Sequence, residues 1–162
     1  MLRVQVEVAI KRPVDDVYQY LADPANWVNW LEGFVQSRQE GAMPLKVGSK
    51  LHQAVRFLGR RFDIDSEVTE LVHDATIGVR VVSGPFPMAW RHLVATSGGG
   101  TRMTTVLEAE PGSYFKVAGP LLKPMLQRHL GDDHKRLKTL LENPDKATPL
   151  PADKSTAGRS YS

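Results

Sequence analysis

The stretch Ile10-Lys-Arg-Pro-Val-Asp-Asp-Val-Tyr-Gln-Tyr-Leu-Ala-Asp-Pro-Ala-Asn-Trp-Val-Asn-Trp30 decides how the chain begins to fold. Just before it, Leu2, Val4, Val6, Val8 and Ile10 alternate with Arg3, Gln5, Glu7, Ala9 and Lys11. That period of two predicts a strand with one face in a core and one in water. Pro13 stands where a first helical turn tolerates it, and Asp15 and Asp16 suit the positive end of the helix dipole. Val14, Val17, Tyr18 and Leu21 share one face of the short helix so begun. Asp23-Pro24 ends it, because the residue before proline is pushed out of the helical region. Trp27, Trp30, Leu31 and Phe34 follow at near-helical spacing and predict a second short helix.

From Phe34 to Pro111 the pattern changes to strands separated by turns, near 34–41, 49–58, 61–72, 76–83, 87–97 and 101–110. Gly41 with Pro44, Gly48, Leu58-Gly59, His73-Asp74, Gly84-Pro85 and Gly98-Gly99-Gly100 supply the punctuation. Phe62, Ile64 and Val68 oppose Asp63, Asp65 and Glu67. Met103, Thr105, Leu107 and Ala109 alternate with Arg102, Thr104, Val106 and Glu108. Tight turns between successive strands imply an antiparallel sheet, since parallel neighbours need long crossovers.

The last element is a long helix over 114–142, with a bend expected at Gly119-Pro120 or Pro124. Leu122, Leu126, Leu130, Leu137, Leu140 and Leu141 form a broad apolar stripe at helical spacing. After Asn143-Pro144 the chain is rich in Pro, Ser, Thr, Ala, Lys and Asp, so residues 143–162 are expected to form a disordered tail. The domain is therefore assigned to 1–142. One strand, two small helices, six strands and one long helix describe an α+β protein whose curved antiparallel sheet of about seven strands wraps the helix. A helix laid across a concave sheet leaves space that neither element readily fills, and such a body readily holds a cavity.

Composition narrows the function classes. The chain has 162 residues, 41% hydrophobic and 24% charged, enough for a single domain with a sizeable core. It has no cysteine, which excludes disulfides, thiolate metal sites and thiol nucleophiles and fits a reducing cytoplasm. The charged, alternating N-terminus is unlike a signal peptide, and no apolar run approaches the ~20 residues of a membrane span. A net charge of +3 spread among acids lacks the basic stripe of a nucleic-acid binder. Gly98-Gly99-Gly100 is a hairpin turn and not a phosphate-cradling loop. With neither His-x-x-x-His nor His-Glu-x-x-His present, no metal or other cofactor is assigned. Ser37, Ser49 and Ser66 lack the elbow context of a hydrolase nucleophile.

Three segments carry a family resemblance: Ile10 to Trp30, Gly98-Gly-Gly-Thr-Arg-Met-Thr104, and Arg136-Leu-Lys-Thr-Leu-Leu-Glu142. Together with the element order, they make residues 1–142 resemble the SRPBCC superfamily of START, birch-pollen-allergen and polyketide cyclase/dehydrase domains. The resemblance implies a helix-grip fold with an apolar cavity between the long helix and the sheet. Members include lipid carriers, hormone receptors, coenzyme Q-binding proteins, aromatase/cyclases and co-chaperone domains. The Cys and His ligands of the Rieske oxygenase members are missing here.

Candidate site residues come from the inward faces. His129 and Asp133 fall between Leu122, Leu126 and Leu140 and are one helical turn apart, so their side chains are neighbours. A carboxylate beside an imidazole in an apolar cavity could set up a general acid/base. Three other readings stand beside it: a satisfied buried polar pair, an Asp133 that bonds to a strand across the cleft, or a phase break at Gly131 that turns both outward. Trp90 and His92 share a strand face with Met88 and Val94. If that face looks inward, Trp90 lines the pocket and His92 offers a polar handle; if Arg91, Leu93 and Ala95 face inward, both lie on the outer surface. Trp27, Trp30 and Phe34 are expected to include one core anchor and one residue at the pocket rim, with core packing the default for any one aromatic and Trp27 and Trp30 placed at the pocket's entrance or floor. Phe62, Leu122 and Leu126 complete the expected wall, Tyr114 and Phe115 close one end, and Phe86 stands at a loop tip as a gate or an ordinary buried turn. His134 is expected on the outer side of the long helix, with His52 and His73 at the surface.

The leading expectation is a binding module for a small hydrophobic molecule such as a lipid, isoprenoid or aromatic polyketide. A second is a polyketide cyclase or dehydratase using His129, Asp133 and Tyr114 for proton transfer. A third is a co-chaperone or stress-related interaction domain. No nucleic-acid partner and no membrane insertion are expected; the oligomeric state is left open.

Overall fold

Each alternating run becomes a strand. The computed structural model describes residues 1–110, 112 and 119–144. Along it lie β1 (Leu2–Ile10), α1 (Val14–Leu21), a single 3-10 turn (Pro24–Asn26), α2 (Trp27–Trp30), β2 (Phe34–Gln39), β3 (Lys50–Phe57), β4 (Arg60–Val72), β5 (Thr76–Ser83), β6 (Met88–Ser97), β7 (Gly100–Ala109) and α3 (Gly119–Glu142). The expected start of the last helix, 114–118, and the expected tail from residue 145 onwards lie outside the described residues. Pro124 sits inside α3, where it removes one intrahelical hydrogen bond.

The strands form one curved sheet in the order β1-β7-β6-β5-β4-β3-β2, and every neighbouring pair is antiparallel. Strands β2 to β7 are a meander; the connections from β3 to β7 are two to four residues long, and that from β2 to β3 spans residues 40–49. The β3–β4 turn places Leu58 (φ 53°) and Gly59 (φ 76°) both in the left-handed region. Two such residues suit the right-handed twist of the flanking strands. Strand β1 joins the meander's far end, opposite β2. The segment holding α1 and α2 must therefore carry the chain from one edge of the sheet to the other.

That segment is anchored along its length. Asp15 and Asp16 occupy the first turn of α1, and Val17 and Leu21 are buried on its inner face. Arg12 pairs with Asp16 at 2.9 Å and donates to the Leu141 carbonyl near the end of α3. Asp23 ends the helix and accepts a hydrogen bond from the Ala25 amide at 3.0 Å. Helix α3 lies along β1 and covers its free edge. Gln127 and Lys138 donate to the Gln5 and Ala9 carbonyls at 2.9 and 2.7 Å, and the Lys11 amide donates to Glu142 at 2.7 Å. Side chains thus supply partners that an edge strand otherwise leaves to water or to another chain.

One expectation about α3 is corrected. The helical wheel puts His134 on the outer side, yet it is 1% exposed. Leu130, His134, Leu137 and Leu141 follow one another at four, three and four residues, so one inward stripe runs through all of them. The phase set by Leu122 and Leu126 drifts by a fraction of a turn along the helix, and His134 moves into the core.

Candidate functional site: an apolar cavity with a buried histidine relay

Between α3 and the concave face of the sheet lies a cavity of about 400 Å³. Its sheet wall includes Phe34, Val55, Phe62, Ile64, Trp90 and Leu107, and its helix wall Leu122, Leu126 and Leu130. Leu58 of the β3–β4 turn and Phe86 of the β5–β6 turn also border it. The inward phase of β6 is the one that buries Trp90, His92 and Val94 and leaves Arg91 outside, where it bonds Glu70. Burying the indole and exposing the guanidinium is the cheaper of the two phases.

Of the residues expected to line the site, Phe62, Trp90, His92, Leu122, Leu126, His129 and Asp133 border this cavity. Tyr114 and Phe115 lie outside the described residues. Trp27 and Trp30 depart from the entrance-or-floor placement and are both core anchors, fully buried a layer behind the lining. Trp27 packs edge-on against Trp90 and Phe34, with ring centroids 6.2 and 6.3 Å away, and donates from Nε1 to the Leu21 carbonyl at 2.9 Å. The short helix α2 turns its tryptophans under the wall and supports it without forming its surface.

His129 and Asp133 are not the hydrogen-bonded pair drawn from the helical wheel. His129 is exposed at the cavity's border, whereas Asp133 is 6% exposed. Asp133 Oδ1 accepts from the Glu32 amide at 3.1 Å and from Arg136 at 3.0 Å, and Arg136 also donates to the Trp30 carbonyl. Among the described residues no hydrogen bond joins Asp133 to His129. Burial raises the Asp133 pKa, while the Glu32 amide, Arg136 and the nearby His129 oppose the rise. The geometry is that of a clamp fastening α3 to the exit of α2.

A relay absent from the sequence-based reading runs through the wall instead. Thr105 on β7 lies directly across from His92 on β6. His92 Nδ1 meets Thr105 Oγ1 at 2.8 Å, and Thr105 Oγ1 meets His134 Nε2 at 2.7 Å. His134 Nδ1 lies 2.7 Å from the Leu130 carbonyl one turn back along α3. Burial is the main force lowering both histidine pKa values; that of His92 falls to about 3, with His134 adding repulsion. The signal for Thr105 was its place as a polar residue on the apolar face of an alternating strand. For His134 it was the spacing to Leu130 and Leu137.

Away from the cavity, Asp15, His73 and Asp74 bring potential ligand atoms within 4.8 Å of one another. His73 Nε2 lies 3.5 Å from Asp15 and 3.4 Å from Asp74, so the three side chains are one another's neighbours near the surface. No helix among the described residues is long and apolar enough to cross a membrane.

A family model described as polyketide cyclase / dehydrase and lipid transport matches residues 1–142. No curated protein matches the chain. Among solved structures, TTHA0849 from Thermus thermophilus is similar with a TM-score of 0.74 at 16% identity, covering 86% of this chain and 96% of that one. A START superfamily protein from Mycobacterium smegmatis follows with a TM-score of 0.64 at 16% identity, covering 86% and 99%. Ginseng major latex-like protein 151 from Panax ginseng has a TM-score of 0.58 at 16% identity, covering 80% and 96%. At these identities the likeness is one of fold.

Proposed function

From the premise that the chain belongs to the polyketide cyclase/dehydrase and lipid-transport family of the SRPBCC superfamily, we propose that it binds a small hydrophobic molecule between α3 and the sheet. The observation that carries this reading is the cavity itself, about 400 Å³ with mainly aliphatic and aromatic walls drawn from α3, β6, β7 and the β3–β4 hairpin. That volume falls in the lower part of the roughly 300–1,000 Å³ typical of small-molecule sites, which are likewise apolar with a few placed polar groups. Water filling such a space finds few partners, so an apolar guest that displaces it gains the transfer free energy of its buried surface. Proton transfer by a His129–Asp133 pair draws no support from the clamp geometry of Asp133.

Native mass spectrometry of the full chain purified from its own host tests the proposal, together with uptake of the apolar dye Nile red. A co-purified apolar mass, or saturable dye uptake, is expected. Leu126→Trp, which fills the space beside the helix wall, is expected to abolish both. A chain that carries no such mass and takes up no dye would refute the proposal.

A further inference from the structure

The relay through His92, Thr105 and His134 has a direction, and hydrogen-bond chemistry settles it. The Leu130 carbonyl can only accept, so the proton at that contact sits on His134 Nδ1. A neutral imidazole carries one proton, which leaves His134 Nε2 as an acceptor. Thr105 must therefore donate its hydroxyl hydrogen to His134 and can only accept from His92. His92 then carries its proton on Nδ1, and its Nε2 is a bare lone pair. Deep burial keeps both rings neutral, consistent with their lowered pKa values.

That lone pair is unanswered. His92 is 3% exposed and borders the cavity, yet its Nε2 is shut off from solvent with no hydrogen-bond partner among the described residues. A buried acceptor without a donor costs about as much as a lost hydrogen bond, so such an atom points to a missing partner. A second deficit lies close by. Trp30 packs against His92 with ring centroids 5.5 Å apart, and its Nε1–H is also buried without an acceptor. Trp30 lies behind the lining, so the cavity meets this pair at His92, and a hydroxyl has the right character there because it can donate to a lone pair.

Resting on the proposed cavity function, we infer that His92 Nε2 is a hydroxyl-reading subsite and that the cavity's ligand is a hydrophobic alcohol or phenol. A carboxylate, phosphate, ketone or ether oxygen brings only lone pairs to this atom and is disfavoured there. The long-range logic is that a backbone carbonyl of α3 dictates, through Thr105, which ring nitrogen of His92 is bare. His92 thereby selects the ligand's polar group while the apolar wall accepts a range of shapes.

The test compares naphthol with its methyl ether, which keeps the ring and the oxygen but lacks the donor hydrogen. Calorimetric titration of the full-length protein is expected to show naphthol binding about tenfold more tightly, the worth of one buried hydrogen bond. His92→Leu is expected to remove the preference. Thr105→Val, which frees the His92 tautomer, is expected to reduce it, and nitrogen NMR of the unsubstituted protein is expected to find the proton on His92 Nδ1. Equal affinities in the unsubstituted protein, as an ordered water held at Nε2 would produce, overturn the subsite and leave the cavity function standing. A proton on His92 Nε2 does the same, even if His92→Leu fails to fold. Absence of binding by either probe or by Nile red overturns the cavity function and the subsite with it.

Discussion

Acid should destabilise this protein through His92 in a way that one substitution can isolate. In the unfolded chain the imidazole titrates near its ordinary value of 6.5, whereas in the folded protein burial and His134 hold it down to about 3. Between those values the unfolded state binds one more proton than the folded state, so stability falls as the pH falls. The contribution is fully present above about pH 6.5 and is lost progressively towards about pH 3. From about pH 7 to about pH 5, linkage makes this group alone cost about 2 kcal/mol. His134, also lowered by burial, acts in the same direction. His52, raised by its bonds to Asp65 and Glu40, opposes them, as does Asp133 at lower pH. Comparison with His92→Leu cancels these shared contributions. Urea unfolding followed by tryptophan emission reads the effect, since Trp27, Trp30 and Trp90 are 0%, 0% and 6% exposed and all report on the core. The variant is expected to retain about 2 kcal/mol that the unsubstituted protein loses over that interval. Parallel stability profiles for the two proteins would refute the buried, neutral His92.

Two further substitutions probe the frame around the cavity. A Cβ at Gly100 would stand 2.5 Å from the Ile10 carbonyl oxygen, a backbone atom of the paired edge strand. Gly100→Ala is therefore expected to push β1 from β7 and cost about 1–3 kcal/mol in urea unfolding, and an unchanged midpoint would contradict the close approach. Asp133→Ala removes the acceptor shared by the Glu32 amide and Arg136. Its expected cost is about 1.5–3 kcal/mol, the range for bonds to a charged group, and a loss below about 0.5 kcal/mol would show that Asp133 is no clamp.

Most of the framework was legible because its signals are local. The alternation from Leu2 to Ile10 and from Met103 to Ala109 is a property of neighbouring residues, and each run is a strand in the structure. The Asp23-Pro24 stop and the Leu58-Gly59 turn are likewise set within a few residues. The apolar stripe of the last helix revealed an inward face but not its centre. A wheel drawn from Leu122 and Leu126 points to His129 and Asp133, whereas one drawn from Leu130, Leu137 and Leu141 points to His134. An error of a fraction of a turn is enough to exchange a rim residue for a core residue.

Pattern and composition therefore specify a container: an antiparallel sheet of about seven strands, two small helices and one long helix laid across its concave face over a cavity; that the helix also covers the edge of β1 came only with the structure. They cannot specify what its wall presents, because that depends on contacts between residues far apart in the chain. His92, Thr105 and His134 meet only when β6 lies beside β7 and α3 settles at one rotation over the sheet. The same docking binds Asp133 to Glu32 and places Trp27 and Trp30 behind the wall. A hydrogen-bond chain has polarity only once both its ends are fixed, and here the fixed end is the Leu130 carbonyl of a helix already in place.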